Sequence, residues 1–108
     1  MVNQKTITLK LNKYIAKVGK KIPIDKAYLI GSWAEGKARV GSDVDLLVLS
    51  DYFANLDMDE RLRVLYKNTV GIDFDIHIHA VTQDEFKKAS LLTTLGAMRI
   101  AKKVALKE

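Results

Sequence analysis

The sequence predicts an α/β domain, and three patterns predict it. From Ile7 onward, Leu11, Ile15, Val18 and Ile22 recur at every third or fourth residue, the period of an amphipathic helix. Two short apolar runs, Ala27–Ile30 and Leu46–Leu49, are bounded by Gly, Ser or Asp and have the length of strands. Farther on, Ile72, Phe74, Ile76 and Ile78 alternate strictly with Asp73, Asp75, His77 and His79, which is the pattern of a strand.

Residues 1–6 are polar and are expected to be loose. On the first helix Lys10, Lys13, Lys17, Lys20 and Lys21 line the face opposite the apolar stripe. A solvated face explains them better than a nucleic-acid stripe, because no aromatics interleave to stack on bases. Pro23 marks the exit from the helix, and Lys26–Ile30 forms the first strand. Leu46–Leu49 shows no alternation, so it reads as a central strand buried on both faces. Ser50–Asn55 is expected to be a loop. Asp57 with Glu60 makes a capping box for a helix running to about Asn68, with Met58, Leu62 and Leu65 inward, and Gly71 ends the turn after it. Thr82 with Glu85 makes a second box. The helix after it reaches Lys103, with a break allowed near Ser90 and with Phe86, Leu91, Leu95, Met98 and Val104 as core. Gly96 inside it costs about 1 kcal/mol against alanine.

The 108 residues suffice for one compact domain, 1–108. No run approaches membrane-span length and the start is polar and basic, so a cytoplasmic protein without membrane contact is expected. With no cysteine, disulfides, a thiolate nucleophile and a zinc–cysteine centre are excluded. The net charge of +5 is uneven: residues 1–40 carry nine Lys or Arg against two acids, 41–85 three against ten, and 86–108 six against one. The basic ends suit a polyanion or an acidic partner, while the acidic middle suits a cation.

That middle holds the stretch with chemistry in it, Gly31 to Leu46. Gly31 permits a sharp turn and close approach of a ligand, and Ser32 offers either a helix cap or a hydroxyl for a phosphate oxygen. A helix starting at Trp33 would aim free N–H groups at that phosphate, with Lys37 and Arg39 as countercharge. Asp43 and Asp45, spaced i, i+2 at the head of a strand, project to one face. Like charges so close repel, so a cation between them is expected, and hard oxygen donors suit Mg²⁺ or Mn²⁺. A phosphate grip followed by a metal grip reads as a nucleoside triphosphate–metal site.

Gly31-Ser32, ten residues, then Asp43-x-Asp45, with Ala34, Gly36, Ala38, Arg39, Ser42 and Leu46 in place, resembles the nucleotidyltransferases related to DNA polymerase β, above all the minimal nucleotidyltransferases. Trp33 and Glu35 depart from the pattern, standing where a basic residue is common. The resemblance implies a small mixed sheet with helices mainly on one face. It implies transfer of a nucleoside monophosphate, AMP from ATP foremost, to an acceptor hydroxyl, with Asp43 and Asp45 on the metals and Gly31, Ser32, Lys37, Arg39 and Ser42 on the nucleotide. It also implies a third carboxylate on the strand beside the Asp-x-Asp strand: Asp75, with Asp73 as the alternative. Minimal members resemble antitoxins of helical HEPN proteins, so the acceptor is expected to be a HEPN tyrosine. The competing reading is a non-catalytic module that neutralises such a partner by docking. Nucleic acid is a less favoured partner, and self-association is left open. His77 and His79 read as polar residues on a half-open sheet face, with the alternative that His77 orients an acid or a water. Strand neighbours about 7 Å apart cannot place four consecutive ligands, Asp73 to His79, on one zinc ion.

Overall fold

The computed structural model describes residues 3–39, 41–90 and 92–106. Its first helix, α1 (Gln4–Gly19), begins inside the segment expected to be loose. The cause is Asn3, whose side chain accepts from the Thr6 N–H at 2.9 Å and satisfies an otherwise free donor of the first turn. Ile7, Leu11, Ile15 and Val18 are buried as the spacing predicts. Pro23 follows, and then the strand β1 (Lys26–Ile30).

A short helix, α2 (Gly31–Glu35), leads to β2 (Val44–Leu49). Residues 51–55 are a 3₁₀ turn rather than a loop, capped by Ser50 and anchored by the buried Phe53. Next come α3 (Met58–Lys67) and β3 (Ile76–Val81). Spatially the strands run β3, β2, β1 and then β4 (Val104–Ala105). β1 pairs antiparallel with β2 and β4, whereas β2 and β3 are parallel, joined by the crossover through α3 that parallel strands need.

Alternation along these strands sorts their side chains onto two faces. Val44, Leu46, Val48, Leu29, Ile78 and Ala80 join the apolar stripe of α1 and Leu65 of α3 in the main core. Ile30, Leu47, Leu49 and Val81 form a second cluster, covered by Phe86, Leu95 and Met98. Those covering residues lie on α4 (Gln83–Lys88) and α5 (Thr94–Ile100), so the long helices share one face and a short pair covers part of the other.

The break allowed near Ser90 is present, with α4 ending at Lys88 and α5 beginning at Thr94. Three details differ from the sequence reading. Helix α5 stops at Ile100 rather than Lys103, and Val104, expected in its core, instead pairs with Leu29 in the edge strand β4. Leu91 lies outside the described residues. Met58 is exposed rather than inward, and Arg61 is buried in its stead. Finally, the β3 ladder begins only at Ile76. Ile72 and Phe74 still pack on the core, so the alternation of faces extends beyond the hydrogen-bonded strand. Both capping boxes are formed, at Asp57–Glu60 and Thr82–Glu85.

Candidate nucleotide and metal site

The turn from β1 into α2 is built around a glycine for two reasons. Gly31 has φ 73°, a left-handed value that a side chain disfavours. A Cβ at this position would also collide with Asp45 Oδ2. The turn therefore rests directly on the carboxylate of the neighbouring strand. Ser32 lies within the first turn of α2 and is not its cap. The cap position falls to Ile30, which makes no side-chain cap bond. The helix ends at Gly36, whose N–H returns to the Ser32 carbonyl.

The segment that follows is tied to itself. The Arg39 N–H donates to Ser42 Oγ at 2.9 Å, and Trp33 Nε1 donates to the Ser42 carbonyl at 3.1 Å. Ser42 thus holds the loop closed, while Lys37 and Arg39 stay exposed. Gln4 on α1 donates to the Trp33 carbonyl at 2.8 Å, which fixes α2 against the first helix.

Asp43 precedes β2 and is exposed; Asp45 is the second residue of β2, with its side chain 28% exposed. The two were expected side by side on one strand, but the ladder starts between them, at Val44. Asp75 precedes β3 in the same way. Val44 pairs with Ile76, so Asp43 and Asp75 each stand one residue before the first pair of the parallel ladder. The Val44 N–H donates to the Asp75 carbonyl at 2.9 Å, leaving the exposed Asp75 side chain free of that bond. Asp73 is placed differently. It lies outside β3 and pairs with Lys10 Nζ at 2.7 Å. The hydrogen bond to that ammonium holds the Asp73 carboxyl below its ordinary range.

The neighbour of Asp45 across the ladder is His77. Asp45 Oδ1 lies 3.5 Å from His77 Nδ1 and 3.7 Å from His79 Nε2. Burial, and then the nearby His77, push His79 below the usual imidazole range, against the opposing pull of Asp45. This approach was not legible in the sequence. Alternation puts both histidines on the face of Asp75, but only the register with β2 brings Asp45 to them.

A cavity of about 800 Å³ opens beside the site, between α1, the 36–42 loop and the segment before β3. Trp33, Arg39, Ser42, Phe74, Asp73 and Asp75 line it. Gly31, Ser32 and Asp45 are not among its walls. The residues singled out from the sequence thus form two adjoining groups. Arg39, Ser42 and Asp75 border the cavity, while Asp45 meets Gly31 through one carboxylate oxygen and the histidines through the other.

Residues 10–104 match the family described as polymerase beta, nucleotidyltransferase. No curated protein matches the sequence. Among solved structures, the fold resembles a candidate nucleotidyltransferase of Sulfolobus solfataricus at a TM-score of 0.71 and 17% identity, covering 94% of this chain and 80% of that one. Another candidate nucleotidyltransferase is 28% identical at a TM-score of 0.58, with 88% of this chain and 96% of that one covered. A third likeness is to the tri-AMPylated Shewanella oneidensis HEPN toxin in complex with MNT antitoxin. There the TM-score is 0.56 and the identity 22%, over 94% of this chain and 70% of that chain. With nearly its whole length matched by the family and the same fold recurring in these neighbours, the chain belongs to the polymerase β nucleotidyltransferases.

Proposed function

We propose that the protein transfers AMP from ATP to a hydroxyl, most simply a tyrosine, of a HEPN-like helical partner, and that the transfer depends on Mg²⁺ or Mn²⁺. The observation that carries the reading is the contact of the Gly31 turn with Asp45. It sets the backbone of the turn directly against the Asp45 carboxylate, so that a triphosphate held at the turn and a cation held by Asp45 would be neighbours. Family membership supports the reaction class, and the AMPylated HEPN complex among the structural neighbours supports acceptor and nucleotide.

The donor set fits a hard divalent ion. Asp43, Asp45 and Asp75 supply carboxylate oxygens at the heads of two parallel strands, and no lysine or arginine forms an ion pair with them among the described residues. Held by these carboxylates, such an ion would neutralise the triphosphate and lower the pKa of the attacking hydroxyl. The chain itself does the positioning. Ser32, and the N–H groups beginning at Gly31, face the phosphates. Arg39 and Lys37 add positive charge from the exposed loop, and Ser42 keeps that loop in one conformation through its bond from Arg39 N. Asp75 takes the third-carboxylate role because Asp73 is already held by Lys10. As a nearby base it accepts the acceptor proton. A free tyrosine hydroxyl has a pKa of about 10, so its proton has to be drawn off for attack on the α-phosphate, whose bond to the β-phosphate breaks as pyrophosphate leaves. Most of the rate enhancement then comes from orientation and charge neutralisation.

Mass spectrometry of a HEPN-like protein co-expressed with this chain provides the test. The expected result is an added nucleotide on a tyrosine, lost with Asp45→Asn. Removing the metal grip should slow transfer by at least about 10³-fold, the upper end for loss of one electrostatic stabiliser. Neutralisation of the partner by Asp45→Asn without any modification would instead establish the docking-only reading.

A further inference from the structure

The geometry points to a second metal preference at this site: Asp45, His77 and His79 form a three-ligand centre for a zinc-class transition ion. This goes beyond the transfer reaction and does not depend on it. The three side chains come from adjacent strands in fixed register. Asp45 lies opposite His77 in the parallel ladder, and His79 is two residues on, so alternation puts all three on one sheet face. One ligand atom from each lies within 4.8 Å of the other two. The spacing of about 7 Å between strand neighbours bears here only on His77 and His79, because Asp45 comes from β2. The imidazole rings lean together to a centroid separation of 4.6 Å, and the third ligand comes from the strand alongside.

The distances fit the ion. Bonds of about 2.0–2.1 Å in a tetrahedron put neighbouring ligand atoms about 3.4 Å apart. The two distances from Asp45 Oδ1 are 3.5 and 3.7 Å, both longer than a normal hydrogen bond and close to that edge. His79, 22% exposed, is held by its surroundings, whereas His77, 62% exposed, has freedom to swing the last edge shut. Two imidazole nitrogens and one carboxylate oxygen suit Zn²⁺ and its neighbours, whereas Mg²⁺ takes oxygen donors. The exposed side of His77 leaves the fourth position open to water or a substrate oxygen.

The Asp45 carboxylate divides its two oxygens. Oδ1 faces the histidines, and Oδ2 faces the Gly31 turn, against which a Cβ would collide. A zinc-class ion therefore takes the oxygen turned away from the phosphate side. It shares Asp45 with the Mg²⁺ of the transfer reaction without using Asp43 or Asp75.

Zn²⁺ titration calorimetry on the full chain without nucleotide, with Co²⁺ as a visible-absorption reporter of four-coordinate geometry, tests the assignment. The native chain should bind Zn²⁺ far more tightly than Mg²⁺ and give Co²⁺ ligand-field bands. His77→Gln and His79→Gln keep side-chain bulk. Each should weaken Zn²⁺ binding by at least about 100-fold, the upper end of the cost of losing even an outer-shell partner of a metal ligand, and abolish the bands. Circular dichroism of the metal-free variants confirms that they fold. His77→Gln, at an exposed position, keeps the test decisive if His79→Gln does not. Asp43→Asn should leave Zn²⁺ affinity unchanged while stopping nucleotidyl transfer, which separates failure of this centre from failure of the reaction. Unchanged Zn²⁺ affinity in a folded His77→Gln chain, or native binding no tighter than that of Mg²⁺, overturns the proposal.

Discussion

Two clusters of ionisable groups adjoin β3, one near each end, and they are built on different terms. At the C-terminal end Arg61 is 7% exposed and donates four hydrogen bonds to protein oxygens. Its Nη1 and Nη2 donate to the two Glu85 oxygens at 2.7 and 3.1 Å, Nη1 also to the Ala80 carbonyl at 3.2 Å, and Nε to the Leu56 carbonyl at 3.1 Å. Near the N-terminal end Asp45, His77 and His79 converge at distances too long for normal hydrogen bonds. The closed cluster ties α3 to α4, with its guanidinium turned to the protein's own oxygens. The open one holds donor atoms toward a common point. Charge alone therefore does not mark a functional site; what separates the two is whether the protein supplies the partners itself.

The largest contrast is in stability. Arg61→Ala leaves Glu85 without its main partner and the Ala80 and Leu56 carbonyls short of a donor, which should cost about 2–3 kcal/mol. That is below the 3–5 of a fully buried pair because Glu85 is 44% exposed. Asp45→Asn should cost little, since its neighbours His77 and His79 stand at 3.5 and 3.7 Å, too far for normal hydrogen bonds. Denaturant midpoints of the two variants check this; equal losses would erase the distinction between the clusters.

A smaller effect is expected at Gly31. Gly31→Ala puts a Cβ into a left-handed backbone and against Asp45 Oδ2, so destabilisation of more than about 1 kcal/mol is expected. Because the carboxylate has to move, Zn²⁺ and Mg²⁺–ATP affinity should fall together with stability. Ser32→Ala, which loses at most one hydrogen bond of about 1 kcal/mol, should weaken nucleotide binding less. Binding calorimetry giving the reverse ranking would show that the turn does not govern the site.

The smallest effect is a pH dependence at the closed cluster. Hydrogen bonding to Arg61 holds the Glu85 carboxyl below its ordinary range. A folded pKa below the unfolded one means that the native state resists protonation. Its stabilisation is complete above the unfolded pKa, about 4.3, and disappears as pH falls through the lower folded value. The stability difference between the native chain and Glu85→Gln should be level above about pH 5 and should shrink toward pH 3, by no more than about 1 kcal/mol given the exposure of Glu85. Thermal melts across that range measure it, and a difference growing with acidity would reverse the assignment.

Local chemistry in the sequence determined the first two strands, both capping boxes and the stripe of α1, because each rests on residues a few positions apart. It also marked Gly31 as a position where a Cβ would be harmful, although the atom it would strike, on another strand, was out of view. Four features depended on residues distant in the chain. Gln4 fixes the start of the N-terminal helix by reaching Trp33, far along the chain. Arg61 is buried because Glu85, 24 positions later, receives it. The C-terminal helix gives way to a strand because β1 presents a free edge to Val104. Asp45 meets His77 and His79 because β2 and β3 lie parallel in one register. Alternation assigns side chains to a face, but only strand pairing decides which of them touch.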